Sequence, residues 1–284
     1  MSTHTNLIDE GDAALKNDAL ATHVQNITRA PSSVCEFVDE IDVAPPQRFL
    51  ARLFGRNPIP PGLRTAYREA SGDVAVMDAL AQLGGEWMVL RSVPAGADAH
   101  EVAHLVIGPA GVFSIAIRHH PGGVIWIDGK VFLVDGERVS HVRDSEWEAV
   151  RVTQLLSDAV GVRVAVTPCV VVVGARSLTV ARPPRRVAVL TPRDVRAWLK
   201  SMPRVNSQED LKAFRVAASG QPDWNDAESP SLEFAQDIER FRRAQSAVSQ
   251  ARHLRLTWVT GVLVLGWLIA VVGLGGVTTS LLFN

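Results

Sequence analysis

Cysteine is nearly absent: Cys35 and Cys169 are the whole complement. They are too few and too far apart for a disulfide framework, and neither has the CxxC spacing of a thiolate zinc site. This usage fits a reducing compartment. Excess charge of one sign is also missing. A formal net charge of -1 creates no long-range field for a polyanion, so contact with nucleic acid would need a local basic groove. Lysine is scarce, with only Lys16, Lys130, Lys200 and Lys212 among 29 basic residues, a usage resembling that of high-GC bacterial proteins. The opening segment MSTHTNLIDEGDAALKNDAL is acidic and lacks the apolar core of a secretory signal. No internal repeat is seen.

The most informative absence lies at the other end, where no side chain from Leu256 to Asn284 is charged. About 20 apolar residues suffice to cross the hydrocarbon core, whereas buried core helices seldom exceed ~14 and keep a polar face. The expectation is one transmembrane helix over residues 256–282. Arg240, Arg242, Arg243, Arg252 and Arg255 precede it and no charged side chain follows, which places the N-terminal bulk in the cytoplasm. The pattern is that of a tail-anchored, single-pass protein of the cell membrane. Gly266, Ala270, Gly273 and Gly276 form a small-residue stripe that leaves homo-oligomerisation open.

Residues 1–62 carry no strong period and end in a Pro-rich run, NPIPPG, which reads as a flexible segment. Within it, PPQRFLARLFGR sets Phe49, Leu50, Leu53 and Phe54 opposite Arg48, Arg52 and Arg56. This is a short amphipathic helix, for a membrane surface or for docking on the folded domain. Residues 63–203 have the regular patterning of one α/β domain with a mixed sheet flanked by helices. A helix ends at Gly84-Gly85, three short β-rich runs follow, and VIWIDGKVFLVDG reads as a hairpin turning at Asp128-Gly129. The helix DSEWEAVRVTQLLSDAV then leads into RVAVTPCVVVVGA, whose apolar residues on both faces mark a central strand. TPRDVRAWLKSM closes the domain, with Thr191 as N-cap, Pro192 at N1 and Asp194 in the first turn. Residues 204–255 read as a helical connector and stalk, with Leu232, Ile238, Phe241 and Val248 as a ragged stripe.

The stretch HEVAHLVIGPAGVFSIAIRHHPGGVIW resembles the NERD family, the nuclease-related domain, over about residues 63–200. In that family a strand ending in Asp-His leads to a Gly-x-x-Gly-Val-Phe turn and a strand reading Ile-Glu-x-Lys. An upstream helix carries a Gly-Glu pair, matched here by Gly72-Asp73. The resemblance implies a restriction-endonuclease-like fold of the PD-(D/E)XK type. There the strand Asp and Glu hold Mg²⁺, a hard cation that needs carboxylate oxygens, and the Lys helps activate water.

Carried over by position, the strand Asp falls on Ala103, the strand Glu on Ala116 and the Lys on Arg118, leaving Asp73 as the one carboxylate of the set. Alanine has no donor atom and arginine keeps its proton. The expectation is a pseudoenzyme with no catalytic residue, no metal and no cofactor, acting on a protein partner as a binding or scaffold module. The alternative is a Mg²⁺-dependent nuclease on displaced carboxylates, using Glu101, two residues before Ala103, with Asp73 and either His104 or Asp128. A two-residue shift moves a ligand by about 6.6 Å, against a catalytic tolerance of roughly 1 Å.

Arg118, His119 and His120 are candidate binding residues. Arg118 is open to a phosphate, which would make nucleic acid a partner, or to Asp73. Adjacent histidines at a strand end face opposite ways, which favours a loop or surface role. Cys169 reads as a buried small apolar residue. The run RPPRR, Arg182 to Arg186, reads as a solvated basic loop.

Overall fold

The computed structural model describes residues 32–45, 49–94, 101–219 and 232–282. Along the chain come α1 (Ser32–Val43), α2 (Phe49–Leu53), α3 (Arg64–Ala81), β1 (Met88–Pro94), β2 (Glu101–Gly108), β3 (Gly111–His119), β4 (Val124–Asp128), β5 (Val131–Val134) and β6 (Glu137–Val139). Then follow α4 (His141–Val160), β7 (Val166–Val173), β8 (Ser177–Arg182), β9 (Ala188–Leu190), α5 (Pro192–Ser201), α6 (Gln208–Ser219) and α7 (Leu232–Leu282). The chain divides into two compact units, Met1–Glu36 with Thr65–Ile238, and Phe37–Arg64 with Glu239–Asn284.

The first unit is α/β, and its strands form two sheets where one was expected. The larger has the order β1-β2-β3-β7-β9. β1, β2 and β3 pair antiparallel, and β7 and β9 continue in parallel. A parallel partner needs a crossover, and β4 to β6 with α4 supply it. Side chains alternate between faces, and both faces are covered. Val106, Phe113, Ile115, Val171 and Val173 pack with Val76 and Leu80 of α3 and Val195 and Leu199 of α5. Leu90, Leu105, Ile107 and Val112 pack with Val152 and Leu156 of α4 and Leu211 and Phe214 of α6. This double cover is why β7 reads as an unbroken apolar run, and the strand does lie inside the sheet. Helix α6, expected in the connector, instead completes the core because Leu211 and Phe214 give it an apolar face.

The smaller sheet has the order β6-β5-β4-β8. Its β4–β5 hairpin turns where the Asp128-Gly129 pair indicates, with Gly129 at φ 58. Ile125, Ile127 and Phe132 bury one face against Val142, Val170 and Val172. At the start of α5 the Asp194 carboxylate accepts hydrogen bonds from the Thr191 hydroxyl at 2.6 Å and the Thr191 amide at 3.3 Å.

In the second unit the rings of Phe37 and Phe241 meet edge to face, 5.4 Å apart. Helix α7 runs on through the charge-free stretch to Leu282. Among the described residues no helix is long and apolar enough to cross a membrane. The side chains from residue 268 onward lie outside that set, as do Ala270, Gly273 and Gly276 of the small-residue stripe. The expected span therefore rests on the sequence.

One close approach positions the site. A Cβ at Gly72 would lie 1.8 Å from Val173 Cγ1, so glycine is what lets α3 settle onto β7. Gly72→Ala should lower unfolding stability by about 1–3 kcal/mol, the usual cost of overpacking. Gly85→Ala, with nothing within 4 Å of the new Cβ, should stay within about 0.5 kcal/mol; urea titration of the two variants compares them.

Candidate functional site

The C-terminal end of β3 collects the polar side chains. Alternation sends Ala116 and Arg118 toward α4 and His119 toward α3. Arg118 Nη2 donates to Glu148 Oε1 of α4 at 2.9 Å. Glu148 is buried, with 9% of its surface exposed. Arg118 Nε and the hydroxyls of Ser114 and Ser145 are buried without a hydrogen-bond partner among the described residues. Arg118 therefore has its counter-charge in Glu148, and Asp73, the partner considered from the sequence, bonds elsewhere.

Asp73 is buried beneath α3 and accepts from the Ser33 hydroxyl. Its Oδ1 lies 2.8 Å from His119 Nε2. Burial alone would lower the His119 pKa, but the hydrogen bond and charge of Asp73, with Glu69, raise it above its ordinary value. The trio is no catalytic triad. In a triad the serine donates to the imidazole, whereas here serine and histidine both end on one carboxylate, so no imidazole stands at Ser33 Oγ.

Among the described residues neither ring nitrogen of His104 has a hydrogen-bond partner, and the residue is 4% exposed. Burial, helped by the charge of Arg91 opposite it on β1 and opposed by Asp73, pushes it down to about 4. His120 and His141 face each other with Nε2 atoms 2.9 Å apart. Burial, then Arg118 and His120, bring His141 down to about 4. His119 ends β3 and His120 lies in the loop just beyond it; both are half-buried and bonded, on opposite sides as alternation requires.

Residues 68–173 match the sequence model of the nuclease-related domain. Over this segment, less than half of the chain, the protein is similar to the NERD family. No curated protein and no solved structure matches the chain. Within the NERD segment, the turn Gly108-Pro109-Ala110-Gly111 closes the β2–β3 hairpin. A Cβ at Gly108 would meet the Trp87 ring at 2.1 Å.

The residues at the NERD motif positions do not fit a divalent ion. Ala103 and Ala116 bring no oxygen, Arg118 is bound to Glu148, and Asp73 lies on the α3 side with His119. Among the described residues no three His, Cys, Asp or Glu side chains form a metal site. Of the displaced donors, Glu101 opens β2 opposite Pro94 and its side chain lies outside the described set. Asp128 is held by Arg182, with Nη2 at 2.8 Å. Sequence reading missed Ser33, His141 and Glu148. A signal existed for Glu148, a charge on the buried side of α4 among Val142, Ala149, Val152 and Leu156. Cys169 is buried as expected, and burial pushes its thiol up to about 12. Arg185 and Arg186 are exposed.

Two histidines give opposite pH signatures. His119, raised in the fold, stabilises fully below about 6.5, and this contribution is lost as pH rises through its folded pKa. In ring-proton NMR, Asp73→Asn should bring its midpoint down to or below the ordinary value. His104 is neutral in the fold and titrates near 4, so stability falls as pH drops from about 6.5 to 4, by as much as roughly 3 kcal/mol. His104→Leu should flatten that limb in denaturant titrations between pH 4 and 7.

Proposed function

We propose that this is a single-pass membrane protein whose cytoplasmic nuclease-related domain cleaves nothing and acts as a binding or scaffold module for a protein partner. One observation carries the loss of catalysis: Arg118, at the lysine position, is neutralised by Glu148 at 2.9 Å, where the family pattern would set carboxylates and a metal. Mg²⁺ catalysis needs oxygen ligands that hold the ion and polarise phosphate. Alanines at 103 and 116 supply none.

The described part of the charge-free run supports the membrane reading. Leu256, Val259, Val262, Leu263, Val264 and Trp267 are each at least half exposed, from 50% to 69%. So contiguous an apolar surface is rare on a water-soluble protein. The hydroxyls of Thr257 and Thr260 donate to the Leu254 and Leu256 carbonyls at 2.7 and 2.9 Å, the internal satisfaction a helix needs in lipid. The arginines before Leu256 support a cytoplasmic N-terminal bulk.

Two measurements test the reading. The full-length protein in detergent should leave plasmid and oligonucleotides intact with Mg²⁺ or Mn²⁺. Cleavage that disappears in Glu101→Ala would establish the displaced-carboxylate nuclease instead. In cells the chain should stay with membranes through alkaline carbonate, while a chain ending at Arg255 is released; release of both would remove the span.

A further inference from the structure

Three contacts hold the segment around α2 against α7 within the second unit. Gly55 sits at φ +64, and a Cβ there would come within 2.5 Å of the Ala251 carbonyl oxygen and the Arg255 nitrogen. Only glycine lets the chain turn so close. The Trp258 indole Nε1 donates to the Leu53 carbonyl at 2.9 Å. The Phe54 ring lies on Trp258 with centroids 5.4 Å apart.

Docked in this way, the segment leaves its large apolar side chains in the open: Phe49 is 77% exposed, Leu53 45% and Phe54 55%. Beside them, Arg52 and Arg56 line a cavity of about 420 Å³ whose other walls include Ile41, Pro58, Ala247 and Leu254. Leu254 precedes the charge-free run by two residues. If that run spans a bilayer, Trp258 falls at the headgroup level where indoles collect. The exposed Phe and Leu side chains then have an acyl boundary to enter.

The ligand chemistry follows from the walls. Two guanidinium forks suit phosphate oxygens, and the apolar remainder suits hydrocarbon. Inorganic phosphate would leave most of the cavity unfilled and its apolar walls bare. A glycerophospholipid meets both demands with its headgroup phosphate and the start of its acyl chains.

We propose that Arg52, Arg56 and the cavity they line bind the headgroup of an anionic phospholipid at the cytoplasmic face of the membrane. This rests on the membrane-spanning reading of α7 given above. The test uses full-length protein in nanodiscs of phosphatidylcholine alone or mixed with phosphatidylglycerol, with co-purifying lipid counted by native mass spectrometry. Phosphatidylglycerol should be retained preferentially, and Arg52→Gln with Arg56→Gln should cut that preference roughly 30-fold. Gly55→Val, which lifts the segment off α7, should do the same with both arginines present. Soluble glycerol phosphate should not displace the lipid; if it does so at equal concentration, the site is for a free anion and the proposal fails. Protein that enters both discs without preference overturns the lipid site alone, whereas protein that enters neither overturns the span and the site together.

Discussion

A guanidinium placed on an inner strand of a covered sheet must have its counter-charge built in beside it. Arg118 lies on β3 with β7 alongside, and Glu148 is the carboxylate that meets it. Removing one member of such a pair strands the other at a cost of several kcal/mol. The pair therefore fixes α4. With Glu148 held over Arg118, the same helical face must carry Val142, Ser145, Ala149, Val152 and Leu156 inward. The first turn then brings His141 to the end of β3, where His120 waits. Burial there disfavours the charged imidazole, as does the nearby Arg118, so the low His141 pKa follows from the placement that Glu148 demands.

One residue further on, the same strand faces the other way and meets a separate network. Gly72 lies on Val173, which pairs in register with His119; the next helical residue, Asp73, thereby reaches the His119 ring. The two networks have the sheet between them, and this decides the chemistry. A metal site of the Asp and Glu-x-Lys kind needs its donors on one face. On the α4 face the carboxylate present is already neutralised by Arg118, and Arg plus Glu sum to zero charge without any ion. On the α3 face Asp73 is occupied by a serine and a histidine. Among the described residues of these two networks, both carboxylates, Glu148 and Asp73, have a fixed protein partner.

Much of this was legible in the sequence, for identifiable reasons. The apolar run of β7, the Asp-Gly turn of β4–β5 and the Thr191 cap are local signals, and each element stands where they point. The motif lined up Ala103, Ala116 and Arg118 because strand alternation is itself local. Pairing across the fold was not legible. Whether Arg118 meets Asp73 or Glu148 depends on which face α3 and α4 cover, and a single strand does not encode that. Ser33 acts on a residue 40 positions away, from a stretch whose period is too weak to announce α1. The second sheet escaped notice because β6 spans only Glu137–Val139, too short for an alternating pattern to register, and β8 is exposed along most of its length.

Two alanines and one ion pair remove the reasons for a metal, yet the fold around them is kept intact, with Ser114, Ala116 and Arg118 still presented toward α4. On the reading proposed above, the domain acts through its surface or its position. Position is what the charge-free end of α7 would supply. In water Leu256, Val259, Val262, Leu263, Val264 and Trp267, each at least half exposed, would incur the hydrophobic cost of roughly 25 cal/mol per Å² of apolar surface. In a bilayer the same side chains are solvated, and the threonine hydroxyls have already turned back onto the helix. The exposed apolar side chains of that helix suit a surrounding of lipid better than one of water, which is what the proposed anchoring would provide.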